Sequence, residues 1–150
     1  MTEVSSGVGL PHRYAVRVYY EDTDAGGVVY HANYLRFAER ARTEALRAQG
    51  VPHGEMVETH GVMFMVRRIK LDYLQPARLD DLLAVVTEPQ AVRAASADLR
   101  QIVWRGEARL VEIFLQLACV RLSDGRPARL PPRWRVALEA MLMDGASGPA

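Results

Sequence analysis

Apolar and polar positions along the chain follow two periods, and the switch between them falls at one place. From Arg13 to Asp22 they alternate. Tyr14, Val16, Val18 and Tyr20 lie on one side and Arg13, Arg17 and Glu21 on the other, the period of a half-buried strand. From Asn33 to Gln49 the spacing becomes three and four. Tyr34, Ala38, Ala41, Ala45 and Ala48 recur, with Leu35, Phe37 and Leu46 beside them and Arg36, Glu39, Arg40, Arg42 and Glu44 opposite. This predicts a helix, stopped by Gly50 and followed by Pro52. An alanine-lined face lets a helix axis come close to its support, as in a helix wrapped by a curved sheet, although alanine also serves helix propensity alone.

Beyond the helix, His53 to Gly61 reads as a loop or a short helical turn. Strands are then expected at Val62 to Tyr73, closed by Pro76, and at Leu79 to Glu88, broken by Pro89. Two more follow at Val92 to Trp104 and Ala108 to Leu122, with Arg105-Gly106-Glu107 as the hairpin turn between them and Ser123-Asp124-Gly125 ending the second. Pro131-Pro132 opens a short helix from Arg133 to Met143. Residues 1–11 and 144–150 show no periodicity and read as mobile tails. The order is thus strand, long helix, four strands, small helix. This predicts one α+β domain, residues 1–150, with a curved antiparallel sheet around one long central helix. Such a helix covers only one face of the sheet, so the other face or an edge strand is expected to meet a second subunit.

Composition narrows the partners. The chain has 150 residues, 49% of them apolar and 25% charged, as ordinary globular domains do. A net charge of +1 and few, scattered aromatics give no platform for nucleic acid. Cys119 is the only cysteine, so no intrachain disulfide can form, and its apolar surroundings, Phe114 to Val120, predict a buried small hydrophobe. No basic segment followed by an apolar stretch opens the chain, and no run reaches the roughly 18 apolar residues of a transmembrane span. A cytoplasmic protein without a transmembrane segment is expected.

Candidate chemistry concentrates where the two periods meet. Glu21, Asp22 and Asp24 end the strand, Gly26-Gly27 turns the chain, and His31 stands at the expected helix start. Free N–H groups and a partial positive charge at a helix N-terminus polarise an electrophile's oxygen, and a carboxylate beside it can activate water or attack an acyl carbon. The same carboxylates also suit turns and caps. Gly26-Gly27 is not a phosphate loop, since neither a Lys-Ser/Thr pair nor GxGxxG accompanies it. His31, His53 and His60 have no metal-ligand spacing, so no metal is expected, and no G-x-S-x-G supports a serine hydrolase. Arg67, Arg68 and Lys70, with Arg93, Arg100 and Arg105, suit either a solvated sheet face or a landing site for the phosphates of a nucleotide-bearing ligand.

The stretch from Val16 to Tyr34, with Glu21-Asp22-Thr23-Asp24-Ala25-Gly26-Gly27 at its centre, resembles the 4-hydroxybenzoyl-CoA thioesterase family of hotdog-fold acyl-CoA thioesterases. The likeness is in particular to its YbgC-type branch, which is associated with the Tol-Pal system of Gram-negative bacteria. Glu39 to Glu44, Phe64 to Arg68 and Pro76 to Asp81 agree with it, and it extends to about Leu122. The resemblance implies hydrolysis of acyl-CoA without cofactor or metal. It implies Asp24 as nucleophile or general base, a helix N-terminal N–H near His31 as polarising donor, and a supporting role for the His31 side chain. Gly26, Gly27, Tyr30, Arg67 and Arg68 are the expected substrate contacts. It also implies a homo-oligomer, dimer or tetramer, with the active site between subunits. An alternative is a protein that binds acyl carrier protein or an envelope complex and whose thioesterase activity is vestigial.

Overall fold

The computed structural model describes residues 11–146. Most of the expected tails, residues 1–10 and 147–150, lie outside them. The element order is β1 (His12–Arg17), a 3-10 turn (Tyr20–Asp22), α1 (Asn33–Ala48), α2 (His53–His60), β2 (Val62–Tyr73), β3 (Leu82–Val92), β4 (Ser96–Arg105), β5 (Ala108–Arg121) and α3 (Pro132–Ala146). The strands form one antiparallel sheet in the order β1-β3-β4-β5-β2. It is the hotdog arrangement, α+β, with the curved sheet around α1.

The helix turns its alanine face inward as its spacing requires. Tyr34, Phe37, Ala38, Ala41, Ala45 and Leu46 are buried, and Gly50, at φ 78°, ends it with a left-handed residue. Ala48 lies on the exposed side instead. Opposite α1, Leu83 and Val85 of β3, Leu99 and Val103 of β4 and Ile113, Leu115 and Leu117 of β5 face inward and complete the core. One polar network crosses it. The fully buried Gln101 donates from Nε2 to Ala38 O and Thr87 Oγ1, each at 2.9 Å, and accepts from Arg42 Nη1 at 3.0 Å. Every polar atom of that amide has a partner, so the network fixes α1 on β3 and β4, and burial of its Arg42 member pushes that guanidinium below its ordinary range. Arg42 is therefore half-buried rather than part of a solvated face.

Several boundaries depart from the expected ones. The first strand stops at Arg17 instead of reaching Asp22, because Asp22 folds back on Tyr19: its Oδ2 accepts the Tyr19 N–H and its own N–H donates to Tyr19 O. Tyr20, expected on the buried face, is 81% exposed in that turn. Residues 78–81 form a turn, which delays β3 to Leu82, and Pro89 is absorbed by a register shift between Pro89 and Ala91 rather than breaking the strand. β4 consequently begins at Ser96. Residues 53–60 are a helix, and α3 runs past Met143 to Ala146, into the expected tail. No helix among the described residues is long and apolar enough to cross a membrane.

Candidate active site

The carboxylate stretch folds into a small hairpin. Thr23 and Val29 form a bridge, the Asp24 N–H donates to Val28 O at 2.8 Å, and the Gly27 N–H donates to Asp24 O at 3.0 Å. Gly27 adopts φ 83°, a left-handed conformation that any side chain would strain. The exposed Asp24 carboxylate is oriented by one local bond, the Gly26 N–H donating to Oδ1 at 2.8 Å. The glycine pair thus has two distinct jobs, which substitution separates. A methyl at Gly27 meets no atom within 4 Å, so Gly27→Ala is expected to lower stability by about 1–2 kcal/mol through its backbone alone. A methyl at Gly26 would stand 3.3 Å from Asp24 Oδ1, so Gly26→Ala is expected to displace the carboxylate and lower turnover. Urea unfolding and initial rates on the two variants check this.

Backbone bonds hold the hairpin against the start of α1. Asp22 O accepts both the Tyr30 N–H and Asn33 Nδ2, each at 2.9 Å. The Val29 N–H donates to Ala77 O at 2.8 Å, and the Ala77 N–H donates to Tyr34 Oη at 3.1 Å. Tyr73, the last residue of β2, donates its hydroxyl to His31 O at 2.9 Å. Burial lifts the Tyr34 and Tyr73 hydroxyls above their ordinary range, so both stay protonated at neutral pH.

The helix itself begins at Asn33, two residues after His31. Its first turn contains no acidic residue, and no side chain caps it. The Asn33 N–H is taken by Tyr30 O and the Leu35 N–H by Ala32 O, whereas the N–H groups of His31 and Ala32 have no acceptor among the described residues. A cleft of about 220 Å³ opens beside them, lined by Val29, His31, Tyr34 and Tyr73 with the 74–76 segment. The Tyr30 ring lies tilted against that of His31, with centroids 4.6 Å apart. A free helix-start N–H, a cleft and a carboxylate on a braced loop are the parts that acyl transfer needs.

The hairpin therefore carries Asp24, Gly26 and Gly27 at its tip and leads through Tyr30 directly into His31 at the cleft. The fold does not bring Arg67 and Arg68 to them. Both are exposed on β2, where Arg67 is the residue skipped by the register shift against β5. Arg68 lies five residues back from Tyr73, about 17 Å along the strand. Arg93, Arg100 and Arg105 are engaged in ion pairs with Asp98, Glu88 and Asp81. Of the two neighbouring acids, Asp22 is a turn residue, as its bond to Tyr19 shows, and Glu21 is exposed. His53 and His60 lie elsewhere, against Phe64 and Trp134. Tyr73 and Ala77 are members of the site that no local pattern signalled.

Comparison with known proteins bears on family and fold. The thioesterase superfamily model matches residues 26–112. The acyl-CoA thioesterase YbgC of Haemophilus influenzae is 44% identical over 83% of this chain and 91% of its own length. The acyl-CoA thioester hydrolase YbgC of Escherichia coli O6:H1 is 44% identical over 79% and 89%. The crystal structure of a DHNA-CoA thioesterase from Staphylococcus aureus superposes with a TM-score of 0.85 over 94% of this chain and 97% of its own, at 20% identity, a likeness of fold.

Proposed function

The chain belongs to the thioesterase superfamily and is a thioesterase, and from that premise we propose that it hydrolyses acyl-CoA to free acid and CoA at Asp24. The observation that carries the reading is the carboxylate-bearing hairpin laced to a helix start whose leading N–H groups are unpaired. The thioester oxygen sits at the His31 N–H, which stabilises the negative charge as the carbonyl carbon becomes tetrahedral. Asp24 acts on that carbon in one of two ways. It attacks directly, forming a mixed anhydride as CoA thiolate departs, and water then cleaves the anhydride. Alternatively it takes a proton from water, whose oxygen attacks and expels the thiolate. Both routes use the same groups. The His31 side chain lends its ring to the cleft, and Tyr73 holds the His31 carbonyl so that the adjoining peptide keeps its direction.

Two features point to a site completed by a second copy of the chain. Asp24 and His31 are open to water in the single subunit, where a carboxylate is well solvated and a hydrogen bond to an oxyanion is weak. The sheet also leaves β2 as an unpaired edge strand of 12 residues, and Val66 and Ile69 on its inner face are each 40% exposed. A partner pairing along β2 would cover these residues and reach the cleft, because the same strand ends at Tyr73. Arg67 and Arg68, remote from Asp24 in their own subunit, would then stand at the subunit boundary, where CoA phosphates could meet them.

The test is release of CoA from a panel of short, long and aromatic acyl-CoAs, followed with a thiol reagent. Wild-type protein no faster than buffer on every member would refute the reading. The protein's own thiol should not interfere. Burial pushes Cys119 up to about 11, and its Sγ lies 3.7 Å from Arg129 O. A thiol reagent is therefore expected to leave Cys119 unmodified in the native protein and to titrate it only after unfolding.

A further inference from the structure

The turn at residues 78–81 follows the 74–76 segment, which lines one wall of the cleft. Asp80 there adopts φ 74°, a left-handed conformation that a non-glycine residue holds only when its surroundings over-determine it. They do so here. The Asp80 N–H donates to Val18 O and the Val18 N–H to Asp81 O, each at 2.9 Å, while Arg17 Nη1 donates to Asp80 O at 2.8 Å. Asp81 Oδ2 accepts the Arg78 N–H at 2.9 Å. From the last residue of β4, Arg105 reaches across with one nitrogen, Nη1, which donates to Asp81 Oδ2 at 3.0 Å and to Pro76 O at 3.2 Å.

Between the two points that Arg105 holds lies Ala77, which is fully buried. Its carbonyl supports the carboxylate hairpin through Val29, and its N–H supports the helix start through Tyr34 Oη. Arg78 adds a bridge to Val28. Beside the direct bonds at Asp22 O, the Ala77 segment thus ties the carboxylate hairpin to the helix start a second time, and Arg105 clamps that segment at both ends. We propose that Arg105, paired with Asp81, is a positioning residue that sets the placement of Asp24 against the His31 N–H through the 76–81 segment. This rests on the thioesterase reading above. Neither Arg105 nor Asp81 lines the cleft, so the loss of their pairing is expected to act on alignment in the transition state more than on ground-state binding.

The experiment compares Arg105→Met, Arg105→Lys, Asp81→Asn and Arg121→Met on the acyl-CoA the wild type cleaves best. Arg121→Met removes an ion pair to Asp124 at the opposite end of the sheet and serves as the structural control. Arg105→Met is expected to lower kcat about tenfold or more with KM changed less than about threefold. Arg105→Lys should restore most of kcat, because one nitrogen makes both contacts. Asp81→Asn should give a smaller fall in the same direction. Amide exchange at Val29 and Ala77 should quicken in Arg105→Met and not in Arg121→Met. A kcat in Arg105→Met equal to wild type, or an equal fall in Arg121→Met, overturns the proposal. If Arg105→Met does not fold, Asp81→Asn and Arg105→Lys decide it by the same split: kcat and amide exchange at Val29 and Ala77 unchanged from wild type in Asp81→Asn, or a kcat in Arg105→Lys no higher than in Asp81→Asn, counts against. A wild type inactive on every acyl-CoA refutes the thioesterase reading and this proposal with it. An active wild type with a defective Asp24→Asn and an unaffected Arg105→Met refutes the clamp alone.

Discussion

Asp24→Asn is expected to lower kcat/KM by about a hundredfold to ten-thousandfold, with little change in thermal stability. The two halves of that expectation have separate causes. An asparagine side chain keeps the shape of aspartate and an oxygen in the position of Oδ1, so it still accepts the Gly26 N–H that orients the side chain. The backbone bonds of the hairpin, Asp24 N–H to Val28 O and Gly27 N–H to Asp24 O, involve no carboxylate and survive unchanged. What is lost is the charge. An amide neither attacks a thioester carbon usefully nor accepts a proton from water, so both mechanistic routes fail together. His31→Ala should be milder, because the proposed polarising group is the backbone N–H, which alanine retains. Initial rates with thermal melts on both variants make the check. An Asp24→Asn enzyme within a few-fold of wild type would move the chemistry to another group, and a His31→Ala defect larger than that of Asp24→Asn would make the imidazole, rather than the backbone, the principal partner.

The elements legible in the chain were those set by local periodicity. The helix at Asn33–Ala48 and the strand at Val62–Tyr73 have the expected starts because apolar spacing and glycine stops act over a few residues. Boundaries failed where a side chain or a distant backbone decided them. Asp22 ends the alternating strand by bonding to Tyr19, a choice that alternation cannot reveal. Pro89 reads as a breaker, yet the sheet accommodates it at a register shift. The site divides in the same way. Asp24, the glycine pair and His31 lie within eight residues and could be singled out together. Tyr73 and Ala77 join them only because the fold brings the end of β2 and the segment after it to the helix start. Arg105 read as one cation among several. Its carboxylate partner, Asp81, is 24 positions earlier, and only the β3–β4 pairing makes them neighbours.

Ile69→Asp is expected to dissociate the proposed β2-paired assembly and, with it, the activity. Ile69 pairs with Leu115 and Leu71 with Ile113, so both look toward the inner face of the sheet, where Leu115 and Ile113 are buried. Yet Ile69 is 40% exposed, on the outermost strand of the sheet, while α1 packs mainly toward β1 and β3. An apolar residue on the concave face of an unpaired strand is what a second copy would bury. A carboxylate placed there is well solvated in the monomer and must lose water in the dimer. The substitution is therefore expected to cost the assembly more than the single subunit, the difference being at the scale of an interface hot spot, about 2 kcal/mol or more, which is roughly a thirtyfold or greater rise in Kd. Sedimentation at a series of concentrations reads the dissociation, and the rate per subunit measured over the same series reads its consequence. If Asp24 and His31 need the partner to exclude water and complete the cleft, specific activity should fall on dilution in Ile69→Asp and recover as concentration rises through the new Kd. A fully folded monomer with wild-type specific activity would show instead that one subunit suffices, and an unchanged oligomer would move the interface to another face of the sheet.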